Sequence, residues 1–135
     1  MANSFVHVEL STTDLKAATK FYKSLFDWKL QSMDMGGSTY VMIDAGDGKV
    51  GGGMQKKQVP EAPAMWLSYV EVADVKKTIA KAKKLGANAV LEYQEVPGMG
   101  ALGIFVDPSG AALGVWQPAK PAKKPAKKAV KKAKK

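Results

Sequence analysis

Cysteine and arginine are both missing from this chain of 135 residues, and histidine occurs once, at His7. Without cysteine there can be no disulfide, no thiolate nucleophile and no thiolate metal ligand. That usage suits a reducing compartment, and a cytoplasmic protein is expected. Without arginine, the planar two-pronged grip on phosphate, carboxylate or a guanine edge is excluded. No run of about 18 apolar residues occurs, so no membrane partner is expected. Met1 to Phe5 shows no basic segment leading into an apolar stretch, so no secretory signal is expected either. Gly51-Gly52-Gly53 lacks the following lysine and hydroxyl of a phosphate-binding loop.

Acid is missing from the end of the chain. Residues 118–135 contain 9 of the 21 lysines and no aspartate or glutamate, whereas residues 1–117 hold 12 lysines and all 12 acids. The formal charge of +9 therefore belongs to the tail, and the body is neutral. Two parts follow: a folded domain over 1–117 and a lysine-rich tail over 118–135. The tail is built only from lysine, alanine, proline and one valine, so self-repulsion and want of apolar surface predict disorder. Lysines without aromatics neutralise phosphates but cannot stack bases, so any nucleic-acid binding would be blind to sequence. A solvated tail directed at an anionic surface is the alternative.

What is present in the body is a pattern that occurs twice. Val6-His7-Val8-Glu9-Leu10 alternates as a half-buried strand does. Asp14 stands where a helix N-cap should, before Leu15, Ala18, Phe21, Tyr22 and Leu25 at helical spacing. Strands are predicted at 28–33, 39–43 and 49–54, separated by Gly36-Gly37 and Gly46-Asp47-Gly48. The order then recurs: a strand over 65–72, Asp74 as cap, and a stripe of Val75, Ile79, Ala82 and Leu85 stopped by Gly86. Strands over 89–93, 102–106 and 112–116 follow, with turns at Pro97-Gly98 and Asp107-Pro108-Ser109-Gly110. Two copies of strand, helix and three strands predict an α+β fold of two βαβββ modules packed together.

Three segments carry a family resemblance. They are His7 through Leu15 with Phe21-Tyr22 and Leu25-Phe26; Trp66 to Val75; and Glu95-Val96-Pro97-Gly98 through Asp107-Pro108-Ser109-Gly110 to Trp116-Gln117. Together they resemble the glyoxalase/bleomycin-resistance/extradiol-dioxygenase proteins, the vicinal oxygen chelate (VOC) superfamily, over nearly all of residues 4–117. The closing Ala111 to Gln117 is similar to a glyoxalase-like subgroup whose substrate is generally unassigned. The resemblance implies that the two modules curl one sheet around a cup that binds a small molecule. It also implies, in many members, a divalent metal held by four side chains, one from the first and one from the last strand of each module.

Carried over residue by residue, that pattern places the four ligand positions at His7, Gly52, Leu67 and Gly114. Leucine cannot ligate and glycine has no side chain, so three positions are empty. Alternation puts Glu9 beside His7, which makes two ligands where stable zinc and non-haem iron sites use three or four. No metal and no cofactor are therefore expected. By the same alternation the cup should be lined by His7, Glu9, Met54, Leu67, Tyr69 and Trp116, with Gly52 and Gly114 leaving space beside Met54 and Trp116. Trp66 should fall on the opposite face, in the core. Three functions are compatible with these features. The first is a metal-free small-molecule binder. The second is a lyase, isomerase or dioxygenase-like enzyme with His7 and Glu9 as catalytic candidates. The third is a nucleic-acid-associated protein acting through its tail. A second copy of the chain, as a homodimer, is a further candidate partner.

Overall fold

The computed structural model describes residues 2–119. Its elements run β1 (Phe5–Thr12), α1 (Leu15–Leu25), β2 (Lys29–Asp34), β3 (Thr39–Asp44), β4 (Gly51–Lys56), β5 (Met65–Glu71), α2 (Val75–Lys84), β6 (Asn88–Val96), β7 (Gly100–Val106) and β8 (Ala112–Pro118). The expected two βαβββ modules are present, and the strands form one curved, unclosed sheet of eight. The strand order is β2-β3-β4-β1-β5-β8-β7-β6. Each module closes on itself through a parallel pair, β1 with β4 and β5 with β8. The modules meet along a single antiparallel seam, β1 against β5.

Local chemistry explains the helices. The Asp14 carboxylate accepts from the Ala17 N–H at 3.0 Å, and Asp74 accepts from Lys77 N–H at 3.0 Å. Each cap satisfies one of the amides a helix start leaves without a partner. Gly86 closes α2 in the left-handed region at φ 104°, where a Cβ would be strained.

The register divides every strand into two faces. Val8 and Leu10 of β1 share a face with Gly52 and Met54 of β4 and with Trp66 of β5. Both helices pack on this face. One core joins Leu10, Val41, Ile43 and Met54 under Leu15, Ala18 and Tyr22 of α1. The other joins Val72, Val75, Ile79 and Val115 with Ala89 and Phe105. Gly103 lets α2 lie close to β7, since a Cβ there would stand 3.0 Å from both Val75 and Ile79.

Two expectations are corrected here. Met54 does not line the cup: it is fully buried (0% exposed) in the core beneath α1, in register with Leu10. A methionine sealed there contributes about 1.5–3 kcal/mol of burial. Trp66 does lie on the helix face, 5.4 Å from the Tyr22 ring, but it is 37% exposed and so is not core. The reason is the unequal seating of the helices. α2 buries Val75 and Ile79, whereas α1 buries no residue and leaves Phe21 and Leu25 exposed.

Pro118, expected in the tail, pairs with Gly100, and the Ala119 N–H donates to the Met99 carbonyl at 2.9 Å. The remainder of the expected disordered tail, 120–135, lies outside the described residues.

Candidate functional site

The face away from the helices carries the polar cluster. His7 and Glu9 of β1 point there, as alternation requires. Their neighbours across the seam are Tyr69 and Leu67 of β5, and Tyr69 in turn adjoins Gly114 of β8, with Trp116 two residues on. On the other side His7 and Glu9 adjoin Gly51 and Gly53 of β4. Five of the six expected cup residues, His7, Glu9, Leu67, Tyr69 and Trp116, thus share one face; Met54 does not.

The cluster centres on Glu9. The Tyr40 hydroxyl donates to Glu9 Oε2 at 2.9 Å. The Tyr69 hydroxyl and the Gln55 amide donate to Oε1, each at 3.3 Å. Tyr40 also lies 2.8 Å from His7 Nε2. A phenol has one proton, and Tyr40 spends it on Glu9. The donor at the His7 contact must therefore be Nε2–H, which leaves the His7 Nδ1 lone pair as an acceptor. His7 and Glu9 are bridged by a phenol rather than bonded to each other. The His7 ring stacks at 17° to Tyr40 and meets Tyr69 edge-on at a centroid distance of 5.9 Å.

Burial sets the electrostatics. It lowers the pKa of His7 and favours neutral imidazole. It raises the pKa of Glu9, against the opposing pull of the hydrogen bonds from Tyr40 and Tyr69. Both phenols are pushed well above the ordinary tyrosine range, first by burial and then by the negative charge of Glu9. They are held as donors and are poorly suited to become phenolate.

The glycines have a different role from the one expected. A Cβ at Gly53 would collide with the Tyr40 hydroxyl, and one at Gly114 would collide with the Tyr69 ring. These positions do not leave open space; they let a tyrosine from the adjoining strand lie flat over the backbone. The equivalent of Gly114 in the first module is Gly53, not Gly52, because Gly52 turns to the helix face. Three consecutive glycines carry no alternation, so the sequence could not show which one faces the cup. Tyr40 and Gln55 were missed for a related reason. They become cluster members only through the Tyr40–Gln55 register of β3 with β4. The available signal was a polar tip at each position in otherwise apolar or glycine-rich strands.

A four-ligand metal site does not fit these residues. Among the described residues no three His, Cys, Asp or Glu side chains come together as a metal would need. The cluster offers one imidazole and one carboxylate, tied through Tyr40, with phenols kept protonated.

Comparison with known proteins agrees with the fold. The sequence profile described as Glyoxalase/Bleomycin resistance protein/Dioxygenase superfamily matches residues 4–115. "Putative glyoxylase CFP32" of Mycobacterium tuberculosis is 34% identical over 114 residues, which is 82% of this chain and 44% of that protein. "Anthracycline biosynthesis protein DauV" of Streptomyces sp. is 27% identical over 124 residues, 81% of this chain and 45% of that protein. The chain thus spans less than half the length of these curated relatives. Among solved structures, hypothetical protein BH1468 from Bacillus halodurans superposes with a TM-score of 0.68 at 14% identity, covering 91% of this chain and 99% of that one. Methylmalonyl-CoA epimerase from Mycobacterium tuberculosis superposes with a TM-score of 0.64, also at 14% identity, covering 86% and 88%.

Proposed function

The chain belongs to the glyoxalase/bleomycin resistance protein/dioxygenase superfamily, and from that premise we propose that it is a small-molecule binding protein whose cup works without a metal. The observation that carries this reading is the Tyr40–Glu9–Tyr69 cluster over Gly53 and Gly114. The last-strand positions from which relatives are expected to offer metal ligands, Gly53 and Gly114 here, are covered by phenols that donate hydrogen bonds to Glu9. A carboxylate accepting from two phenols and an amide keeps about one of its four lone-pair sites, and one such contact beside His7 falls short of the three or four ligands a stable metal site uses. What the face offers a ligand is the acceptor of His7, the edge of Glu9, and the apolar surface of Leu67 and Trp116. Apolar walls with a few fixed polar groups are the usual make-up of a small-molecule site. Metal analysis of gently purified protein tests the metal-free state. Close to one zinc, nickel, manganese or iron per chain, lost on His7→Ala, would overturn it.

A second reading is proton transfer at a carbon beside a carbonyl. It draws on the His7–Tyr40–Glu9 chain, in which His7 Nδ1 is the free base and Tyr40 relays the effect of Glu9. Exchange of solvent deuterium into a ketone probe, abolished by His7→Ala, would favour this reading over simple binding.

The lysine run is proposed to act separately, as a sequence-blind contact to nucleic acid or another polyanion. The support is the charge division itself, a neutral body joined to a segment with 9 lysines and no acid.

A further inference from the structure

We propose that the cup selects a ligand bearing a positively charged nitrogen, an amine or ammonium group carried on an apolar body. This rests on the ligand-binding reading above and names its ligand class. On the cup faces of β1, β4, β5 and β8 the charged side chains are Glu9 and Glu71, the latter in register with Trp116. No lysine stands on those faces, and the chain has no arginine. The lysines lie elsewhere. Eight are on α1 and α2, Lys49 precedes β4, Lys56 at the end of β4 is in register with Thr12 on the helix face, and Lys29 is on the edge strand β2 in register with Asp44. Lys57, next after β4, gives its ammonium to the carbonyls of Pro60 and Ala62 at 2.9 and 2.7 Å. Around Glu9, on the four central strands, a neutral body has thus placed acid without base; the one lysine on that side of β2, Lys29, stands at the sheet edge opposite Asp44.

Glu9 has hydrogen bonds but no counter-charge. Its donors are two phenols and an amide, which stabilise a carboxylate without cancelling its charge. Among the described residues the one ion pair is Lys83 with Glu92, on the other face of the molecule's second module. Low surrounding dielectric strengthens what a fixed charge does to a ligand, attracting a cation and repelling an anion. The aromatic rings act in the same direction. Tyr40 and Trp116 are half-buried on this face, and aromatic faces attract ammonium groups. An anionic ligand would meet Glu9 with no arginine or lysine to receive it.

The test uses one apolar body with three heads: benzylammonium, benzyl alcohol and benzoate. Binding to the full chain is read from the NMR shifts of the Trp116 indole and the Gly53 and Gly114 amides. Benzylammonium should bind at least about 10-fold tighter than benzyl alcohol, equivalent to about 1.4 kcal/mol, and benzoate weakest. In Glu9→Gln that preference should shrink to about 2-fold or less, with benzyl alcohol affinity kept. In the parent protein the preference should also fall from pH 8 to pH 4 as Glu9 takes a proton; this second readout needs no variant. The groups facing Glu9 are His7, Tyr40, Gln55 and Tyr69, with Leu67 opposite it on β5, and protonation of His7 acts in the same direction. Equal binding of benzylammonium and benzyl alcohol, or a preference that survives Glu9→Gln and low pH, would overturn the cation class while leaving the cup as a site. Failure of all three probes to move the cup resonances would overturn the ligand-binding reading, and this proposal with it.

Discussion

Tyr40→Phe removes a single oxygen from the centre of the cluster, and its effect can be worked out in advance. That oxygen accepts from His7 Nε2–H at 2.8 Å and donates to Glu9 Oε2 at 2.9 Å. A hydrogen bond to a charged acceptor contributes about 1.5–3 kcal/mol and a neutral one about 0.5–1.5. Because both partners are half-buried, water recovers part of the loss, and a net cost of about 2–3 kcal/mol is expected at pH 8. For a domain of this size that lowers the melting temperature by roughly 6–15 °C. The pH dependence gives the sharper signature. Burial raises the Glu9 pKa and the Tyr40 bond pulls it down, so in the variant it rises further. The bond to ionised Glu9 is fully present above Glu9's native pKa and fades as pH falls through it. The deficit of Tyr40→Phe should therefore be largest at pH 8 and shrink towards pH 4. Urea unfolding of both proteins at the two pH values, followed by tryptophan fluorescence, measures it. A deficit under about 0.5 kcal/mol, or one that grows as pH falls, would refute the account of the cluster.

Gly114→Val drives a side chain into the Tyr69 ring and should cost about 1–3 kcal/mol by overpacking; a variant that melts with the parent would show that Tyr69 does not lie over that glycine. The amides of α1 should exchange with deuterium well before those of α2, since α1 buries no residue and α2 buries two; equal protection would contradict the packing described. Asp14→Ala and Asp74→Ala should each lower stability by about 1 kcal/mol through loss of the cap, read by denaturant midpoint. A chain ending at Ala119 should keep its melting temperature and lose its affinity for duplex DNA. For the full chain, if about 5 lysines meet phosphates, log affinity against log salt should slope by roughly −4 to −5; equal DNA affinity without the tail would end that proposal.

The helices were legible because their signals are local. Asp14 and Asp74 act within three residues of themselves, and the apolar stripes after them have a period no strand shares. The module repeat was legible because turn chemistry marks its joints, down to the glycines of 46–48 and 110, which take positive φ. The site was legible only on strands with alternating side chains. β1 announced His7 and Glu9, and β5 announced Leu67 and Tyr69. β4 begins with three glycines, so its face had to be inferred, and a slip of one residue moved Met54 from the core to the cup. In β3, Tyr-Val-Met-Ile offers four side chains suited to either face, and only pairing with β4 fixes Tyr40 inward. Trp66 misled for another reason: large aromatics usually seal a core, but here the helix above it is lightly seated.

The single seam between the modules bears on how the chain is made. During synthesis the first module can complete its sheet at Lys56, yet its β1 edge then has no partner, because β5 has not emerged. That edge reads Phe-Val-His-Val-Glu-Leu-Ser-Thr, without the lysine or proline that commonly discourages strands from pairing with other chains. Only residues 57–64 separate β4 from β5. The shortness of that connection limits how much chain must leave the ribosome before the bare edge is covered, and a longer insertion there would leave it open to a neighbouring nascent chain for proportionately longer.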